Sequence, residues 1–403
     1  MVTLEDIERA QRRIADFIYR TPFPRTEHFP ELGCAALYLK MENLQRTGSF
    51  KERGALNKLL SLSPEERTRG VITASAGNHA QGVAYHAGRL GIPAKIVMPE
   101  RTPIIKVART RGYGAQVVLH GADFDEAKRE AHRLELQENR VFVHPFDDPH
   151  VIAGQGTVGL ELLEQNPHVE VVVIPVGGGG LIAGAACALK ETNPRVKVIG
   201  VQTANLPSMV RSLESGTVEE IEAGSTIADG IAVRKPGRDS FEMVQRYVDE
   251  IVTVDEEEIA AAILAMLERE KSVVEGGGAV GLAALLNGKI PRAQGRKVGV
   301  VLSGGNIDVN LISRIIERGL VKDGRLISLR VRLKDRPGAL ARLMTFIAEA
   351  RANVMEVYHN RAAARLGLGE TEVEVTLETR GLSHVEELLT RLHDQGFQVE
   401  VAA

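Results

Sequence analysis

From about residue 20 to residue 320 the chain alternates short apolar runs, rich in β-branched residues, with longer segments of helical pattern. Few architectures accept that alternation. Strands separated by helices of this length are joined by crossovers, which build a parallel sheet covered on both faces. The spacing predicts strands over residues 70–73, 94–98, 116–119, 171–176, 197–201 and 297–302, with helices over 78–90, 124–139, 181–192 and 256–270. After Glu317 the stretch RGLVKDGR is polar and carries glycine turns, which suits a domain boundary. Beyond it Ile327, Leu329, Val331 and Leu333 alternate with polar residues, the period of a half-buried strand. Leu340, Leu343, Met344 and Ile347 then fall on one helical face. Strands over 353–361 and EVEVTLET, a helix near 383–395 and a strand over 397–401 complete a β-α-β-β-α-β order. The expected fold is therefore an α/β body over residues 1–320, made of two open, twisted parallel-sheet subdomains with the smaller at about 45–150, and a small βαββαβ unit over 326–403.

Several function classes drop out on charge and composition. A formal charge of -3, with no basic run, leaves no surplus to neutralise a phosphate backbone, so no nucleic-acid partner is expected. Cys34 and Cys187 stand far apart in unrelated contexts, which excludes a disulfide framework and a thiolate metal cluster and suits a reducing cytoplasm. The first twenty residues are charged and amphipathic, without the apolar core of a signal peptide, so a cytoplasmic location is expected. Residues 171–189 carry no charge and approach the length of a membrane span, but Pro175 and four successive glycines interrupt them. A buried strand, turn and helix explain them without a membrane.

Four short motifs carry chemistry. TGSFKERGA (47–55) places Lys51 after a small polar turn at the opening of a helix; alone, Lys51 reads as a solvated surface lysine. SAGNHAQG (75–82) follows a strand, and its small residues leave amides and a helix start able to hold a carboxylate, although a plain turn capped by Asn78 reads the same way. VGGGGL (176–181) lets successive amides wrap a phosphate, yet it lacks the lysine and hydroxyl of a nucleoside-triphosphate loop and the spacing of a dinucleotide fingerprint; tight helix-to-sheet packing is its plainer explanation. LSGGN (302–306) ends another apolar strand. The last three motifs sit at the carboxyl ends of parallel strands, where ligands of open α/β sheets bind, so they can converge. A lysine, a phosphate nest, a carboxylate nest and a lone serine together describe a site for a phosphorylated cofactor and an amino acid.

In TGSFKERGA, SAGNHAQG, HPFDDPHVIAGQGT, PVGGGGLIAG, TIADGIAV and LSGGN, taken in that order, residues 5–320 resemble the fold-type-II pyridoxal-phosphate enzymes of tryptophan synthase β-like fold, and within them the threonine dehydratases or threonine ammonia-lyases. The resemblance implies pyridoxal 5'-phosphate held as an imine by Lys51, with Phe50 beside its ring and Asn78 at its ring hydroxyl oxygen. It implies phosphate binding by Gly177, Gly178, Gly179, Gly180 and the amide of Leu181, and Ser303 facing the pyridine nitrogen. Lys51 and Ser75 would be the catalytic residues, and Ser75, Gly77 and Asn78 would hold the substrate. A neutral serine hydroxyl keeps the ring a weak electron sink, which favours loss of a β-hydroxyl over transamination. The implied reaction is dehydration and deamination of L-threonine to 2-oxobutyrate and ammonia, with L-serine as a further substrate.

Two departures narrow the choice among relatives. Serine racemases of the family carry SSGNH where this chain has Ala76, which disfavours racemisation. They also bind a divalent cation through acidic residues where this chain offers Gln202 and Ser208, so no metal is expected. His144 and His150 flank acidic residues in HPFDDPH, but the prolines break any helical ligand spacing and a structural loop is expected there.

The C-terminal unit resembles an ACT domain through DRPGAL (335–340). That resemblance implies an effector site at Asp335, Gly338, Ala339 and Asn353 between paired modules, for isoleucine or valine, in a homodimer or homotetramer; an oligomerisation module that binds nothing is the alternative. For the whole chain the other readings are a serine dehydratase, a non-catalytic amino-acid sensor and a nicotinamide-dependent dehydrogenase. Intact Lys51, Asn78, glycine loop and Ser303 speak against the sensor, and the missing dinucleotide fingerprint speaks against the dehydrogenase.

Overall fold

The computed structural model describes residues 1–361 and 367–402. It divides into two compact units, Met1–Ile307 and Asp308–Ala403. In the first, six strands form a sheet in the order Arg25–Thr26, Ala36–Lys40, Lys297–Val301, Val171–Pro175, Lys197–Thr203 and Glu250–Val254. All pair in parallel except the two-residue edge strand Arg25–Thr26, which runs antiparallel to its neighbour. A second sheet, entirely parallel, has the order Gln116–Leu119, Ala94–Met98, Val71–Ala74 and Val141–Phe142. Every residue of Val171–Pro175 and of Ala94–Met98 is buried, as expected of strands covered on both faces by crossover helices.

Three helices fix how the two sheets meet. Pro149–Gln165 starts at Asp148, whose carboxylate accepts from the amides of His150 (2.8 Å) and Val151 (3.1 Å), with Pro149 at the first helical position, where no amide is missed. It lies between Lys51–Ser61 and Gly180–Thr192, and at its crossings no side chain separates the backbones: a Cβ on Gly154 would stand 2.6 Å from the Gly54 Cα. The helix that begins with Lys51 and the helix that begins in the glycine loop are thus gauged from one common element.

A buried ionic cluster pins the Lys51 helix from below. The Arg53 guanidinium donates to Glu42 at 2.8 Å and to Glu161 at 2.7 Å, and the Lys40 ammonium donates to Glu161 at 2.6 Å and to the Thr21 carbonyl at 2.9 Å. Arg53, Lys40 and Glu42 are fully buried. Burial alone would raise the Glu42 carboxyl, but the guanidinium beside it holds it below its ordinary range.

The second unit opens with the helix Val309–Lys322, so residues 318–322 continue a helix where a polar connection was expected. Ile312, Ile315, Ile316 and Leu320 recur at helical spacing and extend the pattern through the polar-looking segment. An antiparallel sheet follows in the order Asn353–Asn360, Glu370–Glu378, Leu326–Lys334 and Gln398–Val401, packed with Ala339–Glu349 and Leu382–Asp394 around Leu329, Val331, Leu343, Val375 and Leu388. Among the described residues no helix is long and apolar enough to cross a membrane.

Because Arg53 neutralises two buried carboxylates, Arg53→Ala should cost about 3–5 kcal/mol of stability in chemical denaturation. A loss below about 1 kcal/mol would show that the cluster does not hold the helix.

Candidate active site

The carboxyl ends of the central strands of both sheets face one cleft. Its walls include Phe50, Lys51, Asn78, Gly177 to Gly180, Leu181, Glu275 and Ser303. Phe50 and Lys51 are held at its floor by main-chain pairing: the Phe50 amide donates to the Ser303 carbonyl at 3.0 Å, and Ser49 bridges Gly304. The Lys51 ammonium donates to the Pro145 carbonyl at 2.7 Å. Burial lowers its pKa to about 8, against an opposing pull from Glu275, so about a tenth is the free amine at pH 7, far more than for an ordinary lysine.

The glycine loop has both a packing role and open donors. A Cβ on Gly178 would stand 2.5 Å from the Phe146 ring, so part of the motif answers to close packing. Yet among the described residues the amides of Gly177, Gly178, Gly179, Gly180 and Leu181 donate to no protein acceptor, and they open the helix Gly180–Thr192 toward the cleft. Unpartnered amides at a helix start form a cradle for a phosphate. The Ser303 hydroxyl is buried at the opposite wall and makes no hydrogen bond to the protein among the described residues. A phosphate cradle, a low-pKa lysine and an unengaged hydroxyl on one cleft fit a phosphorylated pyridine aldehyde.

Ser75 and Gly77 do not line this cleft. The Ser75 hydroxyl accepts from the amides of Gly77 and Ala80, both at 3.3 Å, and so serves the start of the helix Asn78–Leu90. Asn78 does not cap that helix. Its side chain turns into the cleft, and the amides of Ala76, Asn78 and His79 are left without a protein acceptor among the described residues, so an anion could still be held there.

Two polar residues of the site carried no role in the sequence reading. Asn306 closes the LSGGN motif and donates to the Asn78 side-chain oxygen at 2.8 Å. Glu275 accepts from the Asn78 amide at 2.7 Å. Burial, with the charge of Asp229, raises the Glu275 carboxyl to about 7. Its signal in the sequence is VVEGGGA, an acid followed by three glycines, which otherwise reads as an ordinary acidic helix start.

Other positions are accounted for locally. The Gln202 side chain accepts from the amides of Met209 and Val210 and donates to Ser208, whose hydroxyl donates to the Val233 carbonyl at 2.6 Å. His144 accepts from the amides of Phe146 and Asp147 and shapes the loop that presents Pro145. In the second unit Asp335, Gly338 and Ala339 share one loop, and Asp335 pairs with Arg361 at 3.2 Å. Asn353 is not beside them. The register sets Asn353 and Leu326 opposite Glu378, and Lys334 opposite Glu370, so Asn353 and Asp335 lie at opposite ends of the sheet, roughly 26 Å apart along the strands.

The model of the pyridoxal-phosphate-dependent enzyme family matches residues 14–304, and that of the ACT domain matches residues 324–395. The chain belongs to the pyridoxal-phosphate-dependent enzymes. Among members of this family, the L-threonine ammonia-lyase of Thermotoga maritima is 56% identical over 401 residues, covering 100% of both chains. The L-threonine ammonia-lyase of Geobacter sulfurreducens is 52% identical over 395 residues, 98% of each chain. The processed form of threonine deaminase isoform 2 from Solanum lycopersicum superposes with a TM-score of 0.75 at 40% identity, over 78% of this chain and 86% of that one. As a pyridoxal-phosphate-dependent enzyme the chain takes pyridoxal 5'-phosphate as its cofactor, and its second unit is an ACT domain.

Beside the site, His79 and His86 lie on the helix Asn78–Leu90, and burial lowers both rings from 6.5 to about 3. The unfolded chain takes up these protons below about 6.5 and the folded one only near 3. Their contribution to stability is therefore complete above 6.5 and drains away as the pH falls toward 3. At pH 5 each should cost about 2 kcal/mol, seen as a lower thermal midpoint than at pH 7. A midpoint unchanged between pH 7 and 5 would show that the rings protonate in the folded protein.

Proposed function

We propose that this enzyme dehydrates and deaminates L-threonine to 2-oxobutyrate and ammonia, and that it also accepts L-serine. The observation that carries the reading is the 56% identity to an L-threonine ammonia-lyase across the full length of both chains, with Lys51, Asn78, the glycine loop and Ser303 all on one cleft. Pyridoxal 5'-phosphate, when bound, supplies the electron sink that acidifies the α-proton of an amino acid.

The residues divide the remaining work. The amides of Gly177 to Leu181 bind the phosphate, and Phe50 flanks the ring. Ser303 meets the ring nitrogen with a neutral hydroxyl, which does not hold a proton there as a carboxylate would. Lys51, with its pKa near 8, takes the α-proton as general base. The free amides of Ala76, Asn78 and His79, beside Ser75 and Gly77, take the substrate carboxylate. Ala76 places no hydroxyl on the face opposite Lys51 to return a proton, which supports elimination over racemisation. Threonine and serine differ by one methyl, worth roughly 1–3 kcal/mol, so discrimination between them is partial.

The ACT domain is read as a regulatory module for isoleucine. An effector that touches both Asn353 and the Asp335 loop has to bridge two copies of the domain, since one copy keeps them at opposite ends of its sheet. Such pairing makes the enzyme a homodimer or homotetramer.

The test is release of ammonia and 2-oxobutyrate from L-threonine by cofactor-loaded protein, with and without isoleucine, beside a Lys51→Ala control. Turnover should fall by several orders of magnitude in the control and decrease with isoleucine. Turnover indifferent to isoleucine would remove the regulatory reading, and no turnover of threonine or serine by folded, cofactor-loaded protein would overturn the lyase reading.

A further inference from the structure

The polar groups behind Asn78 form a chain whose direction is fixed at both ends. Asn306 donates through Nδ2 to the Thr47 carbonyl at 2.7 Å, and its Oδ1 accepts from the Arg109 guanidinium at 3.1 Å. A carbonyl can only accept and a guanidinium can only donate, so the Asn306 amide has one orientation. Its second N-H then goes to Asn78 Oδ1 at 2.8 Å, and Asn78 Nδ2 in turn donates to Glu275 Oε1 at 2.7 Å. Turning the Asn78 amide over would set nitrogen against nitrogen at Asn306 and oxygen against oxygen at Glu275. With its oxygen engaged and one N-H committed, Asn78 has a single N-H left for the cleft.

The chain delivers Glu275 by an unusual route. The helix Glu256–Ala265 runs on into a π-helical turn, Met266–Glu270, and Lys271 follows in the left-handed region at φ 53°. Helix irregularities of this kind gather at functional sites. Asn43 then ties Ser272 and Val273 with bonds of 3.0 Å, and the Glu275 amide donates to the Gly304 carbonyl at 3.0 Å. Glu275 stands at the cap position of Gly276–Leu286, yet its side chain makes no capping bond and is 4% exposed.

We propose that Glu275 and Asn306 are positioning residues that hold Asn78 as a donor-only contact, so that the ring oxygen of the bound cofactor is met by an N-H and is stabilised in its deprotonated form. This rests on the reading that Asn78 faces the ring oxygen. Neither Glu275 nor Asn306 needs to touch a reacting atom; both act through Asn78.

The experiment compares cofactor affinity and the visible absorption of the bound cofactor, as a function of pH, in wild type, Glu275→Ala, Glu275→Gln, Asn306→Asp, Asn78→Ala and the double variant Asn78→Ala/Glu275→Ala. Glu275→Ala and Asn306→Asp should each shift the absorption maximum and weaken cofactor binding by about tenfold, the worth of one hydrogen bond to a charged group. Glu275→Gln keeps an acceptor for the Asn78 N-H and should stay within about threefold of wild type. The double variant should bind no more weakly than Asn78→Ala alone. Effects of Asn78→Ala and Glu275→Ala that multiply, or an unshifted spectrum in Glu275→Ala, would overturn the proposal. An Asn78→Ala protein with an unshifted spectrum would instead overturn the placement of Asn78 at the ring oxygen. Should Glu275→Ala fail to fold, Asn306→Asp, which keeps size and shape, decides: its unshifted spectrum is equally fatal.

Discussion

The site depends on three helices meeting at bare backbone. Pro149–Gln165 touches Lys51–Ser61 through Gly154 and Gly54, and it touches Gly180–Thr192 through Gly156 and Gly184. A contact without side chains cannot be adjusted by a rotamer, so the distance between the cofactor lysine and the phosphate cradle is set by main-chain geometry. The buried charges of Lys40, Glu42, Arg53 and Glu161 add direction to that contact, because each ion must find its partner before the helix can seat. The ends of the helices are then free to be chemically open, with amides and a lysine pointing into a cleft instead of completing the fold.

Alternating apolar runs and helical segments marked six strands of the first unit to within two residues, while Ala36–Lys40, Val141–Phe142 and Glu250–Val254 were not among them. Ala94–Met98, Gln116–Leu119 and Asn78–Leu90 coincide with their expected bounds, because each is closed by glycine, proline or charge. The glycine loop and Ser303 were legible for a related reason: their motifs end strands of a parallel sheet, and topology brings such ends together, whereas Lys51 opens a helix and was placed by the resemblance of its motif. Glu275 and Asn306 were not. A glutamate before glycines looks like a helix start, and only the tertiary approach of residues 303–306 to the 271–275 segment makes it an acid inside a cleft.

Two further features have physical causes. The Ser75 hydroxyl satisfies the first turn of its own helix, since Gly77 at the cap position has no side chain to do so. In the ACT domain a helix between the motif DRPGAL and the strand from Asn353 carries the chain back across the sheet, so Leu326–Lys334 and Asn353–Asn360 run parallel and the motif and Asn353 fall at opposite ends of one copy. Periodicity identified each strand of that domain but carried no information about which ends lie side by side.

The helix Val309–Lys322 belongs with the ACT unit, although its last residues look like a linker. Anyone wishing to separate catalysis from regulation by truncation would be drawn to residue 320 by the polarity of the sequence. A fragment ending there would divide the helix from the rest of its unit, with Ile315 buried and Val309 in solvent on the same helix. An apolar stripe orphaned in this way is an aggregation hazard.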